Sequence, residues 1–382
     1  MSDLPNNNSK NTAEKRTRKK KTKRIDYPFL VIVIALLVYG LIMVFSASTA
    51  SAYYIHGDAL YFFKRQFIWA VIGVAVMFLI SNIYYKTWYK LALPILGITV
   101  LLLIAVPIIG TDVNGAKRWI GLGPLTFQPS EIAKFAVIVY MARRLNHDYV
   151  KLNSFTKGFL PNLAVICVIS VLVLIEPHMS GCLVIMCVGL AMLFIAGADI
   201  KYFVRIALPL IPAVAVLIIM EPYRMKRLLS FIDPFKDASD TGYQVVQSLY
   251  AIGSGGLFGL GLGQSRQKFL YIPEPQNDFI FSILCEELGF FGALLMIILF
   301  ALLVWRGIRI AMTSPDMFSS LLVSGIMALI AIQVILNIAV VTSSCPCTGI
   351  TLPFFSAGGT SLCIILAQMG VVLNVSRYKK RK

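Results

Sequence analysis

Ten long apolar runs, spread over the whole chain, decide what it can fold into. They lie at about 28–47, 67–83, 91–109, 128–143, 159–176, 181–198, 205–221, 280–304, 319–341 and 357–375. A membrane-crossing helix needs about 20 predominantly apolar residues, with about 17–25 usual, and must satisfy its backbone polar groups internally. The fourth run is short; it opens "QPSEIAK", where Pro129 suits a first helical turn. Of the 382 residues, 58% are hydrophobic and only 14% charged, against roughly 25% charged in soluble domains. The expected fold is an all-α polytopic membrane protein of about ten transmembrane helices. The first 27 residues are polar and basic, and the first apolar run is long enough to stay as a span, so no cleavable signal peptide is expected.

Lysine and arginine orient the spans, because they concentrate in cytoplasmic loops. With the N-terminus inside, the inner segments hold 24 Lys/Arg and the outer ones 10, and Lys134 lies within a span. Six of those ten fall in the 222–279 connection, a length at which the rule counts little; without it the split is 24 to 4. Both termini are therefore expected to be cytoplasmic, and the large loop between helices seven and eight extracytoplasmic. The domain plan is a basic tail (1–27), a membrane domain (28–376) and a basic C-terminus (377–382). The formal charge of +17 draws heavily on the tail run "KRTRKKKTKR". This reads as a disordered segment beside anionic lipid headgroups, and no nucleic-acid partner is expected. Chemistry in the 222–279 loop would be outside the cell, where there is no ATP, which argues against a kinase-like reaction.

Charges at the mouths of spans need a reason, since an isolated charge in lipid costs at least ~2.5–3.5 kcal/mol. Glu131 and Lys134, at i and i+3, share one helix face. They either neutralise each other for the fold or present Lys134 to an anionic ligand. Upstream, "GTDVNGAKRWIGLGPLTFQPSE" offers Lys117, Arg118, Trp119 and Gln128. Trp at an interface is commonly an anchor, whereas guanidinium fits phosphate oxygens bidentately. His178, in the tight turn "EPHMSG", is a candidate proton carrier or a solvated turn residue. "AIGSGGLFGLGLGQSRQKF" contains a G-x-G-x-x-G match but no βαβ context. It reads as a tightly packed amphipathic or re-entrant loop, with Arg266 and Lys268 adding positive charge. Cys345 and Cys347 read as free thiols, and the other five cysteines as small apolar filler.

Asp278 in "YIPEPQNDFIFSILCEELGFFG" is the sharpest residue. Two prolines stiffen its approach and three apolar residues follow it. A carboxylate so placed has a raised pKa unless paired, which suits general-base work. An aspartate at a helix start can equally cap free N–H groups, and spacing alone favours the cap. On a helix continued from Asp278, Glu286 and Glu287 point different ways, so at most one can support it.

"QPSEIAK", "GLFGLGLGQSRQKFLYIPEPQNDFIFSILCEELGFFG" and "TGITLPFFSAGGTS" together resemble the SEDS family (shape, elongation, division and sporulation), over roughly residues 28–376. "VFSAST", "YFFKRQ" and the basic tail lean toward its FtsW/SpoVE branch rather than the RodA branch. The resemblance implies a peptidoglycan glycosyltransferase that polymerises lipid II at the outer face of the bacterial cytoplasmic membrane. It implies Asp278 as the essential aspartate and matches Glu131, Lys134, Arg118 and Trp119 to family positions. The substrate-facing candidates are then Arg118, Lys134, Glu131, Lys117, Gln128, Arg266, Lys268 and Glu286, with a divalent cation (Mg or Mn) as a candidate cofactor. The implied partners are a class B penicillin-binding protein and other division or elongation proteins. The chain departs from the family in three places: "QPDLGT" becomes "EPHMSG", which puts His178 at a usual Asp position, "SYGGSS" becomes "SAGGTS", and a "CPC" run appears. A lipid-linked precursor flippase and a non-catalytic scaffold are the alternative readings.

Overall fold

The computed structural model describes residues 25–113, 116–122, 125–147, 152, 154–176, 178–220, 225, 231–236, 242–346 and 349–378. The tail up to residue 24, the last four residues, Cys347 and parts of the 222–279 loop lie outside the described residues.

Among the described residues ten helices coincide with the ten apolar runs: α1 (Tyr27–His56), α2 (Tyr61–Asn82), α3 (Lys86–Ile109), α4 (Pro129–His147), α5 (Leu160–Ile175), α6 (Met179–Ile195), α7 (Ile200–Ile219), α9 (Ile280–Met312), α10 (Met317–Val341) and α11 (Gly359–Ser376). A shorter helix, α8 (Tyr243–Gly255), lies within the long connection between α7 and α9. Among the described residues seven helices are long and apolar enough to cross a membrane, α5 together with the π-helical turn Phe155–Phe159 that precedes it. The apolar α6 is shorter at 17 residues, and α4 is diluted by Glu131, Lys134, Arg143 and Arg144.

The helix starts follow local chemistry. Asp26 caps α1 by accepting from the N–H of Phe29 at 3.1 Å, and Gly57 ends that helix in the left-handed region, φ 68°. Asp316 and Ser319 form a reciprocal capping box on α10. Asp26 also takes a bidentate pair of bonds from Arg306 of α9 at 2.9 and 3.0 Å. That contact ties the start of α1 to α9.

Helix α10 is the central post, packing against α4, α6, α8, α9 and α11. Its buried stripe includes Leu322, Ile326 and Ile330. Helices α2 and α11 form the most extensive pair, and α3 and α4 another. One element was not expected. Between α3 and α4 the chain forms a three-stranded antiparallel sheet, β1 (Thr111–Val113), β2 (Ala116–Leu122) and β3 (Leu125–Phe127), in the order β1-β2-β3. It sets Thr111 opposite Trp119 and Ile120 opposite Phe127. Its effect is to hold Arg118 and Trp119 near the start of α4.

Candidate active site

A cavity of about 490 Å³ opens where β2, the starts of α4, α6 and α11, the 274–278 segment and α2 meet. Arg118, Gln128, Glu131, Lys134 and Asp278 all line it, so residues spread over 160 positions of sequence converge on one space.

Asp278 sits just before α9, and its setting decides between cap and base. The N-cap position is Phe279, and among the described residues no side chain caps this helix start. The capping role favoured by spacing is therefore not what the carboxylate does. The backbone around it is pinned instead. Asn337 of α10 donates to the Asp278 carbonyl at 2.8 Å and to the Ile350 carbonyl at 2.6 Å. Ser356 donates to the Asn277 carbonyl at 2.7 Å, and the Ala357 N–H to the Gln276 carbonyl at 2.8 Å. Gly349, at φ +67°, lies so close that an added Cβ would be 3.0 Å from Asp278 Oδ2. Burial pushes the Asp278 carboxyl up to about 6; the neighbouring Glu274 raises it further and Arg118 opposes the rise.

Glu131 and Lys134, at the first turns of α4, form the ion pair expected from their spacing, Nζ to Oε1 2.6 Å, with both side chains nearly buried. Ser361 at the start of α11 donates to the other Glu131 oxygen at 3.1 Å. Beside them His178 reaches the same cavity. Gly181 gives its ring room, since a Cβ there would lie 2.2 Å from His178 Cδ2. Burial drives the His178 pKa down to about 4; the pull of Glu131 is opposed by Lys134 and Arg118. His178 is therefore a neutral imidazole at neutral pH, not the carboxylate usual at this position. Glu176, fully buried, has no hydrogen-bond partner on either oxygen among the described residues.

Four candidates fall elsewhere. Lys117 and Arg266 are exposed and do not line the cavity. Lys268 is 2% exposed and committed to Glu287 at 2.9 Å. Glu286 is 1% exposed and accepts from the N–H of Arg266 at 2.9 Å, the N–H of Gln267 at 3.3 Å and the hydroxyl of Ser265. Neither Glu286 nor Glu287 reaches Asp278. Glu286 is therefore corrected as a substrate-facing candidate: both acids face the 259–268 loop, which wraps the helix on that side.

The cavity also has a wall that sequence reasoning missed: Arg65, Gln66 and Trp69 of α2 and Gln333 of α10. Gln66, 2% exposed, bridges the Ser356 carbonyl and the Gly358 N–H. A glutamine immediately before the apolar run at 67–83 was the available signal. Gly359 admits Trp69; a Cβ there would be 2.0 Å from the indole.

Among the described residues no group of three or more His, Cys, Asp or Glu converges as a metal cage. A Mg²⁺ or Mn²⁺ ion drawn here would take most of its ligands from substrate oxygens and water. Cys345 is a free thiol.

The family model for FtsW, RodA and SpoVE, described as cell cycle protein, matches residues 27–381. The chain is 46% identical over 358 residues to stage V sporulation protein E of Bacillus subtilis (strain 168), covering 93% of this chain and 98% of that protein. It is 41% identical over 354 residues to a probable peptidoglycan glycosyltransferase FtsW of Geobacter sp. (strain M18), covering 92% and 96%. Among solved structures, a peptidoglycan synthase complex described as coordinating polymerization and crosslinking superposes with TM-score 0.79 at 28% identity, covering 93% of this chain and 98% of that one. Rod shape determining protein RodA of Thermus thermophilus superposes with TM-score 0.66 at 26% identity, covering 94% and 99%.

Proposed function

From the premise that this chain belongs to the FtsW/RodA/SpoVE family and is a peptidoglycan glycosyltransferase, we propose that its cavity polymerises lipid II at the outer face of the bacterial cytoplasmic membrane. The 24-to-4 distribution of Lys/Arg in the short loops and tails supports that side of the membrane. The observation that carries the reading is the shared space: a carboxyl held near pKa 6 opens onto the same cavity as Arg118 and Lys134.

Asp278 takes the proton from the 4-hydroxyl of the acceptor's GlcNAc. The freed oxygen attacks C1 of the donor's MurNAc from the face opposite the lipid pyrophosphate. The C1–O bond to pyrophosphate breaks, its electrons leave with the polyprenyl pyrophosphate, and the configuration at C1 inverts. Negative charge grows on that leaving group, and Arg118 and Lys134 are the cations placed to meet it. Glu131, held by Ser361, keeps Lys134 in position. Lys268 has no part in this role, because it does not line the cavity.

The similarity to stage V sporulation protein E and to an FtsW supports a role in division or sporulation, and the likeness to a synthase complex that coordinates polymerization and crosslinking supports a crosslinking partner, for which we propose a class B penicillin-binding protein. Polymer formation from purified lipid II by the reconstituted protein, with and without that partner, tests the reading. Translocation of precursor across sealed vesicles without polymer would instead support a flippase, and neither activity a scaffold.

A further inference from the structure

We propose that Glu286 and Glu287 are positioning residues for Asp278, latching the 256–268 segment onto a break in α9 and so fixing the helical stub that Asp278 introduces. This rests on the assignment of Asp278 as the base.

Helix α9 is not continuous. Gly289 has φ 63° and ψ −161°, far from helical values, and divides a stub of residues 280–288 from the rest. Residues 290–312 suffice to cross a hydrocarbon core of about 30 Å at about 1.5 Å per residue, so the stub is surplus to a membrane span. At such a break the i to i+4 ladder no longer sets the direction of the stub.

The 256–268 segment supplies what the ladder lost. In an unbroken helix the carbonyls of Glu286 and Glu287 would accept from Phe290 and Phe291. Here they accept from the N–H groups of Leu260 and Gly261 at 2.9 and 3.0 Å, while the Phe290 and Phe291 N–H groups donate to the carbonyls of Gly256 and Leu257 at 2.9 and 3.2 Å. Four groups left without partners are satisfied by four from one loop. The approach requires glycine on both sides: a Cβ on Gly289 would be 2.4 Å from Gly259 N, and one on Gly259 2.2 Å from the Glu287 carbonyl oxygen. The glycine run noted in the sequence is half of this joint.

The two carboxylates close it. Glu286 gathers the Ser265 hydroxyl and the N–H groups of Arg266 and Gln267. Glu287 takes Lys268 Nζ at 2.9 Å, the Ser265 N–H at 3.3 Å and the Ser46 hydroxyl of α1 at 2.7 Å. Lys268 in turn donates to the Gly263 carbonyl at 2.6 Å. Both acids are at most 1% exposed, and neither lines the cavity. Their partners lie on the loop and on α1, so they fix one end of the stub while Asn337 fixes the other at Asp278. Asp278 is thus held by a short rigid lever clamped at both ends.

The test uses the full-length protein reconstituted with lipid II, comparing wild type, E286L, E286Q, K268M and D278N. The latch predicts that kcat falls about 10²-fold in E286L and K268M, the scale of an ~1 Å misplacement of a reacting group, with KM for lipid II changed less than about threefold. E286Q, which keeps an oxygen for the Arg266 N–H and can donate from its amide to the Ser265 hydroxyl oxygen, should recover part of the loss. Hydrogen exchange of E286L should open the amides of 259–268 while residues 290–312 stay protected, a readout that needs no activity. Unchanged kcat in E286L and K268M, or a raised KM at unchanged kcat, would overturn the proposal. So would loss of protection throughout the bundle. An active D278N would sink the base assignment, whereas an inactive D278N beside a fully active E286L would sink the latch alone.

Discussion

The side-chain amide of Asn337 holds the backbone of Asp278, donating to its carbonyl at 2.8 Å from the middle of the bundle. The same amide reaches the Ile350 carbonyl at 2.6 Å, so one residue joins the 274–278 segment to the chain that precedes α11. Asn337→Leu should strand two buried carbonyls, at about 1–3 kcal/mol each. The expected result is a lower unfolding temperature together with a fall in kcat larger than any change in KM.

The pH profile follows from the raised Asp278 pKa. A base works only when deprotonated, so kcat/KM should fall as pH drops through about 6. An ordinary aspartate near 3.8 would not lose function there. Arg118 holds the Asp278 value down, so Arg118→Gln should move the midpoint upward. The linkage has a definite sign. Between the ordinary value and about 6 the folded state binds the proton more tightly than the unfolded chain, so this group's contribution to stability increases as pH falls across that window. Rates measured from pH 5 to 8 on both proteins check the midpoints.

Lys134 and Glu131 are a buried pair, and breaking it should cost folding as well as chemistry. Lys134→Met leaves Glu131 uncompensated, at about 3–5 kcal/mol. Adding Glu131→Gln should return much of the stability but none of the glycan synthesis. A double-mutant cycle on unfolding, run beside lipid II polymerisation, separates the two effects.

Gly359→Ala places a methyl 2.0 Å from the Trp69 indole. Overpacking of this kind costs about 1–3 kcal/mol, and here it pushes Trp69 out of the cavity wall. Fluorescence of Trp69 in a chain whose other tryptophans are replaced by Phe should shift, and kcat/KM should fall. An unshifted spectrum with normal activity would show that the indole does not need this seat.

The helices were legible because lipid removes the alternatives: an apolar run of sufficient length must satisfy its own backbone. Their ends were less so. The run at 28–47 continues to His56 because Ser46, Ser48 and Ser51 are buried against other parts of the chain, which hydropathy cannot register. At α2, Lys64 and Arg65 ended the apolar run but not the helix, which starts at Tyr61. The sheet carrying Arg118 was missed because its strands are short and two are only three residues long. Asp278 was visible as a misplaced charge, but its freedom from capping depends on where α9 begins. Glu286 was misread as cavity-facing because a helix wheel begun at Asp278, which lies outside α9, assumes a helix from that point and open surroundings. The break at Gly289 and a loop some thirty residues upstream are tertiary facts.

The central claim is that Asp278 removes the acceptor proton. Purified Asp278→Asn, reconstituted with lipid II and its partner protein, tests it most directly, with product chains separated by length. The expected variant unfolds at or above the wild-type temperature at neutral pH, since it no longer buries a charge, retains lipid II binding and makes no glycan polymer. Polymer of normal length at the wild-type rate would contradict it.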